Sequence, residues 1–548
     1  MDEVGIVLAM LLAVVASGYL VRILPFAVPL PLVQIALGAA ISSTTSHGVR
    51  LEPHIFFLVF LPPLLFLDGW RIPKVGLFRD RSTILELALG LVLFTVIGAG
   101  FLIHWLIPSL PLAVSFALAA ILAPTDPVAV SSIAARVPIP PRLMHILEGE
   151  SLLNDASGLV CFRFAVAAAL TGTFSLGDAT LTFLWVALAG IAIGVGLTIA
   201  VSWAQRMLAA RIGEESGSPI LVNLLLPFGA YLAAEHLQAS GILAAVAAGV
   251  TMSYVELSGR ALATTRVRRA VVWDTVQFAL NGIMFVLLGE QLPSIVSAAL
   301  VAPELPAAHD VWWLLGNALA ISVGLILLRF IWVWVSLRLT LLAARRQEQA
   351  VYRPNPRLIL ATSLAGVRGA ITLAGVLTLP LAMPNGTPFP GRDLVIFLAS
   401  AVIVVSLVLA SVGLPRVLRG LELPAEAAHE SEEDQARHAA ALAALEAIAT
   451  APPPPPTSGC DAEGAAEMHA SAADQVRSLY QYRLDGGTGA GVDPHRARAA
   501  ESAERHYRLA ALEQERAVLL RMARHNQLSD EIARKLLREI DLVEARYR

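Results

Sequence analysis

Between His145 and Val160 the sequence reads H-I-L-E-G-E-S-L-L-N-D-A-S-G-L-V, which sets Glu148, Glu150 and Asp155, with Ser151 and Asn154, among long apolar runs. An acid at the centre of a membrane helix costs roughly 2.5–3.5 kcal/mol on insertion scales, so such a residue faces a bundle interior or a water-filled cavity and marks an ion or proton path. The plainer alternative is a polar cluster that only ties helices together by hydrogen bonds. A second acidic position lies upstream, in A-A-I-L-A-P-T-D-P-V-A-V over 119–130, where Pro124 and Pro127 flank Thr125 and Asp126. Each proline removes a backbone donor and collides with the preceding turn, so a helix should open there. Open backbone at membrane depth survives only where it lines a cavity or is buried in protein, and broken helices at mid-membrane are places where ions are held. A proline kink carrying an incidental acid is the bland reading. A third charged position, Arg368, sits in G-V-R-G-A-I-T-L-A.

The elements that must position these residues are membrane helices. Apolar residues make up 56% of the chain and charged residues 15%, far from the roughly 25% charged of a globular domain, so the chain reads as an all-α polytopic membrane protein. About thirteen candidate spans follow from apolar runs of the length needed to cross about 30 Å of hydrocarbon. They are 4–24, 28–43, 54–70, 82–107, 111–136, 142–170, 180–203, 218–236, 240–255, 270–292, 311–337, 357–383 and 392–415. The chain begins Met1-Asp2-Glu3 and passes directly into apolar sequence, which reads as a retained first span. Basic residues fall in alternate loops: Arg22; Arg71, Lys74, Arg79 and Arg81; Arg136 and Arg142; Arg206 and Arg211; Arg260, Arg266, Arg268 and Arg269; then Arg345, Arg346, Arg353 and Arg357. Arg50 and Arg392 are the exceptions. By the positive-inside rule these loops are cytoplasmic, which puts the N-terminus outside and the C-terminal tail inside the plasma membrane.

Helical rise then gives depth. With Arg142 at the cytoplasmic end of the sixth span, Glu150 lies roughly 12 Å in and Asp155 roughly 20 Å in, while Glu148 is shallower. At 100° per residue Asp155 shares a face with Ser151 and Asn154 with Glu150, so the two deep acids point to different neighbours. Arg368 lies roughly 16 Å from Arg357, close in depth to Glu150. A lone buried arginine is costly and a paired one much less so, which predicts a structural Glu150–Arg368 salt bridge and leaves Asp155 free. The fifth and sixth spans are spaced to mirror the twelfth and thirteenth as an inverted repeat, with the seventh as connector.

Composition divides the chain at about residue 420. Residues 1–420 form a transmembrane domain, 421–494 a linker and low-complexity segment, and 495–548 a helical cytoplasmic tail. Within the middle segment 425–450 is Ala/Glu-rich with helical character, 452–456 is a proline run and 457–494 reads as linker. The tail predicts helices His506–Arg524 and, after Ser529 as N-cap, Asp530–Tyr547, where Ile532, Leu536, Ile540 and Val543 line one face. Cys161 and Cys460 fit neither a disulfide framework nor a metal site, and no phosphate-binding glycine loop, hydrolase triad or metal box is present. No cofactor and no enzymatic reaction are expected, and the near-neutral net charge gives no reason to expect nucleic acid.

Five stretches together resemble the cation:proton antiporter-1 family, the NhaP/NHE-like sodium/proton exchangers, along nearly all of residues 1–420. They are F-L-V-F-L-P-P-L-L-F-L-D-G-W at 57–70, A-P-T-D-P-V-A-V at 123–130, E-G-E-S-L-L-N-D-A-S-G-L-V at 148–160, F-V-L-L-G-E-Q-L at 285–292 and G-V-R-G-A-I at 366–371. The resemblance implies two six-helix inverted repeats with unwound crossing helices, a mobile core domain and a dimerisation domain in a homodimer. It also implies that Asp155 carries the proton or the cation, with Asp126, Thr125 and Ser151 completing the ion site. Asn154 resembles the asparagine of electroneutral members, and Glu150 with Arg368 the family's buried ion pair. The expected activity is exchange of Na+, or Li+ or K+, for H+ by alternating access at one carboxylate. A cation channel lined by the same acids and a membrane sensor working through its tail are the alternatives.

Overall fold

The computed structural model describes every residue except 1, 25–27, 45–52, 73–83, 127–129, 132–140, 173–175, 213–216, 258–262, 301–310, 347–355, 420–426, 452–461, 489–493, 526–529 and 548. Pro127, much of the basic-loop set, the 452–456 proline run and Ser529 therefore lie outside the described residues. Two compact units are present, Met1–Leu421 and Glu422–Arg548. Among the described residues both are helical, with one isolated bridge, Ala382 to Pro388, as the exception to helix and turn.

The first unit opens with α1 (Asp2–Ile23), α2 (Leu30–Thr44) and α3 (Pro53–Arg71). A π-helical turn, Glu86–Leu91, leads into α4 (Val92–Leu106), and α5 (Leu112–Leu122) and α6 (Pro141–Thr171) follow. Then come α7 (Leu176–Ile212), α8 (Ser218–His236), α9 (Gly241–Leu257), α10 (Ala263–Leu300) and α11 (Val311–Arg346). The short pair α12 (Pro356–Leu364) and α13 (Ala370–Leu377) precedes α14 (Arg392–Leu418). Among the described residues eight helical stretches are by themselves long and apolar enough to cross a membrane, while α2, α5 and α9 are apolar but shorter.

Side-chain placement shows what solvates this bundle. Along α4, Leu93, Ile97, Phe101 and Trp105 recur every fourth residue and are 53–75% exposed. Such an apolar stripe is an aggregation surface in water and an ordinary outer face in hydrocarbon. The opposite face of α4 buries Val92, Val96, Ala99 and Ile103 in a core shared with α5, α6 and α14. Lipid supplies no hydrophobic force between helices, so association depends on close backbone packing. On α10 a Cβ at Gly289 would overlap the Ile35 carbonyl of α2, and one at Gly38 of α2 would overlap the Val286 carbonyl of α10.

Two helices are interrupted, and these position the site. Among the described residues of the fifth predicted span, 111–136, the chain is helical over Leu112–Leu122 and again at Val130 and Ser131, and its backbone is open from Pro124 through Asp126. The twelfth, 357–383, divides into α12 and α13 around Ala365–Gly369, where Gly366 and Gly369 supply poor helix formers on both sides of Val367-Arg368. The two openings touch: the Asp126 backbone N–H donates to the Val367 carbonyl at 2.8 Å.

The second unit holds α15 (Ala427–Thr450), α16 (Ala462–Thr488), α17 (Pro494–Arg524) and α18 (Asp530–Tyr547). Helix α16 corrects the reading of 457–494 as linker. Ala462, Ala465, Ala466, Ala470, Ala472 and Ala473 supply the strongest helix propensity, which outweighs the glycines near its ends. Helix α17 begins earlier than His506. On α18, Ile540 is buried and Leu536 half-buried, whereas Ile532 and Val543 remain largely exposed. Arg516 of α17 pairs with Asp541 at 2.8 Å and with Glu544, and the hydrogen bond to Glu544 holds its guanidinium above the ordinary arginine value.

Candidate functional site

Helix α6 presents four buried polar residues between positions 150 and 155: Glu150, Ser151, Asn154 and Asp155. They separate by face as the 100° step requires. Glu150 and Asn154 turn to the opened segment of α5, where the Thr125 hydroxyl donates to Glu150 Oε1 at 3.3 Å and accepts from Asn154 Nδ2 at 3.1 Å. Ser151 and Asp155 turn instead to a cavity that Thr125 and Asp126 also line. Thr125 therefore joins the two faces. Its one proton is directed at Glu150, which leaves its oxygen lone pairs to Asn154 and the cavity.

The partner of Glu150 is Arg329, on α11, and not Arg368. Arg329 grips the carboxylate with both ends of its fork, Nη1 to Oε1 at 2.5 Å and Nη2 to Oε2 at 2.6 Å, and its Nε donates to the Thr362 carbonyl at 3.0 Å. Both side chains are almost fully enclosed, 3% and 1% exposed. The expected Glu150–Arg368 bridge is thus overturned, and the reason lies in the broken helices. The end of a half-helix leaves backbone carbonyls without intrahelical donors and carries the negative end of the macrodipole. Arg368 meets two such ends: its Nε donates to the Leu122 carbonyl at the end of α5, 2.8 Å away, and its Nη1 to the Gly366 carbonyl just beyond α12. Its backbone N–H is held by Ser406 of α14 at 3.1 Å. Arg368 therefore binds the crossing together through peptide carbonyls, with no ion pair to a carboxylate among the described residues.

Asp126 occupies the opposite electrostatic position. Gly369 caps the N-terminus of α13, and a Cβ there would overlap the Asp126 carboxylate, so this carboxylate lies against the start of a half-helix. Free N–H groups and the positive dipole end favour an anion at that place. Asp155 is 5% exposed and has no hydrogen bond or ion pair to any described residue, although it lines the same cavity as Asp126, Thr125 and Ser151. A buried carboxylate in that condition needs either a proton or a cation, because an uncompensated buried charge is strongly unfavourable. Among the described residues no three histidine, cysteine, aspartate or glutamate side chains are gathered closely enough to hold a resident metal.

Sequence reasoning missed several residues here. Asp68 of α3 lines the cavity, as do Gln277 and Asn281 of α10. Gln277 Oε1 accepts from Arg71 at 2.8 Å, and Arg71 also pairs with Asp274. A signal for Arg329 existed, since it is a lone charge inside the run L-I-L-L-R-F-I-W. Asp68 lies within one turn of Arg71 and so resembles an interfacial acid.

A family model described as sodium/hydrogen exchanger, transmembrane, matches residues 7–420. The uncharacterized Na+/H+ exchanger YjcE of Escherichia coli K12 is 40% identical over 543 residues, 98% of each chain. The sodium, potassium, lithium and rubidium/H+ antiporter of Bacillus subtilis 168 is 41% identical over 429 residues, which are 76% of this chain and 61% of that relative. The chain thus matches less than two thirds of that relative's length. The sodium proton antiporter MjNhaP1 of Methanocaldococcus jannaschii shares the fold, with a TM-score of 0.52 at 18% identity over 76% of this chain and 99% of its own. With the family model over residues 7–420 and one relative aligned almost from end to end, the chain belongs to the transmembrane sodium/hydrogen exchanger family.

Proposed function

We propose that this protein exchanges one monovalent cation for one proton at Asp155, and that Asp126, Thr125 and Ser151 furnish the other cation oxygens. The observation that carries the reading is the buried Asp155 carboxylate, which has no hydrogen bond or ion pair to any described residue and lines the cavity beside the helix crossing. In one state its oxygen bears the proton. In the other the O–H bond is broken, the proton leaves to water and the cation takes its place. Either occupant neutralises the buried charge, and the empty, charged site is the form least able to cross, which couples the two fluxes.

The neighbouring charges support a one-for-one cycle. Glu150 is neutralised by Arg329, Arg368 is held in its charged form by the carbonyl ends of α5 and α12, and Asp126 is favoured as an anion by the start of α13. A one-for-one cycle then places the alternating charge on Asp155 and keeps Asp68, the third carboxylate on the cavity, in one charge state. Na+ is the leading substrate, with Li+, K+ and Rb+ beside it, as the name of the 41%-identical Bacillus subtilis relative suggests. The alternating basic loops support a plasma-membrane orientation with the N-terminus outside and the tail cytoplasmic, and the family resemblance supports a homodimer.

Purified protein in sealed liposomes loaded with a pH dye tests the assignment. Addition of NaCl should drive proton movement by the wild-type protein, and Asp155→Asn, which keeps shape and hydrogen-bonding capacity, should abolish it. Uphill Na+ movement by a well-folded Asp155→Asn protein would remove Asp155 from the transport step.

A further inference from the structure

Helix α10 brings three side chains to the cavity at helical spacing: Gln277, Asn281 and Met284. Intervals of four and three residues put them on one face, so α10 forms a distinct wall of the cavity, separate from the opened segment after α5 that carries Thr125 and Asp126 and from α6, which carries Ser151 and Asp155. Counted from Arg269, Asn281 lies roughly 18 Å along its helix, close to the roughly 20 Å that separates Asp155 from Arg142. The two residues thus have similar depth on different helices.

The two carboxamides differ in what already occupies them. Arginine offers only donors, so the Gln277 atom that faces Arg71 at 2.8 Å is its oxygen, and that oxygen is engaged. Asn281 has no hydrogen bond to any described residue. A carboxamide left unpaired at membrane depth is costly unless it meets water or a ligand, and this one lines a cavity with three carboxylates, Asp68, Asp126 and Asp155. Met284, one turn further, has no oxygen to offer. We propose that the Asn281 carboxamide oxygen is a cation ligand that closes the oxygen shell from the α10 side and sets which monovalent cations are accepted.

This inference rests on the exchange reading and adds to it. The carboxylate of Asp155 supplies charge, which every monovalent cation shares. A neutral oxygen on a movable side chain changes the number of ligands, and selectivity among ions of one charge depends on ligand number and dipole strength. Larger cations accommodate more oxygens, so loss of one neutral ligand should weaken K+ and Rb+ more than Li+.

The experiment measures exchange against LiCl, NaCl, KCl and RbCl in proteoliposomes for the wild type, Asn281→Leu, Asn281→Ala and Asn281→Gln. Both apolar variants should raise the apparent KM for Na+ roughly fivefold, about 1 kcal/mol, with a larger rise for K+ and Rb+ and little change in turnover. Asn281→Gln should recover much of the affinity. The alanine variant keeps the test open if the leucine variant fails to assemble. Unchanged KM ratios among the four cations in a folded apolar variant would overturn the proposal, as would a loss of turnover with every KM intact. Asp155→Asn run in parallel separates the two levels. A wild-type protein that exchanges no cation, or an active Asp155→Asn, sinks the exchange reading, whereas an unaltered Asn281→Ala profile beside an inactive Asp155→Asn sinks only the role of Asn281.

Discussion

Removal of one partner from the Glu150–Arg329 pair tests the pairing most directly. In Glu150→Gln the guanidinium of Arg329 keeps its bond to the Thr362 carbonyl but loses two charge-assisted bonds of 2.5 and 2.6 Å. With both side chains enclosed, the stranded cation has no water to turn to, and a broken buried pair costs about 3–5 kcal/mol. An unfolding entropy of about 2.1 cal/mol/K per residue over Met1–Leu421 gives about 0.9 kcal/mol per degree, so Tm should fall by about 3–6 °C. That figure is a lower bound, because membrane helices retained after denaturation reduce the entropy change. Arg329→Gln should fall comparably. The double variant strands no charge, so its loss should be smaller than the sum of the two, with a coupling of at least about 1.5 kcal/mol. Thermal unfolding in detergent, followed by the monodisperse fraction, supplies all four corners of the cycle. Additivity within about 0.5 kcal/mol would refute the pairing, and so would an equally large coupling between Glu150→Gln and Arg368→Gln.

Other outcomes follow from the crossing itself. Gly369→Ala places a methyl group on the Asp126 carboxylate, and because the Asp126 backbone is tied to Val367 the side chain has to give way. Na+ affinity should drop at least about tenfold, about 1.4 kcal/mol, whereas Gly316→Ala, where a Cβ meets nothing within 4 Å, should behave as wild type in the same liposome assay. A one-for-one cycle moves no net charge. The steady-state Na+ gradient should therefore be indifferent to a valinomycin potential of either sign, although about 2.3 kcal/mol is available per charge per 100 mV. A gradient that follows the potential would make Asp126 a second proton carrier.

Much of this arrangement is legible in the sequence because the membrane simplifies it. Long apolar runs have to be helices, and Pro124 forecasts the opening of the fifth helix, which is found from Pro124 through Asp126. The different directions of Glu150 and Asp155 follow from the helical repeat alone. The partner of Glu150 does not, for a definite reason. Depth is one coordinate, and Arg329, roughly 14 Å from Arg338, and Arg368, roughly 16 Å from Arg357, nearly share it. Only lateral order distinguishes them. The need of Arg368 for a carboxylate also disappears once backbone carbonyls at two half-helix ends are counted as its acceptors, and those ends exist only after the helices cross. Asn281 stays hidden for a simpler cause: a neutral carboxamide raises much less alarm in an apolar run than an acid, and only the cavity puts it in one lining with Asp155.

The crossing also explains why charged groups can be so dense in a membrane protein without making the site permanently charged. Each half-helix presents one end to the centre, with carbonyls at the ends of α5 and α12 and N–H groups at the start of α13. Those ends need counter-charges as much as the side chains do, and Arg368 and Asp126 supply them in opposite sense. Glu150 and Arg329 form a closed pair beside them, linked to the opened backbone through Thr125. Substitution of any one of these groups alters the field at Asp155 as well as its own contact. Asp155, with no hydrogen bond or ion pair to any described residue, can trade a proton for a cation without breaking a bond that holds the helices together, as the proposed exchange requires.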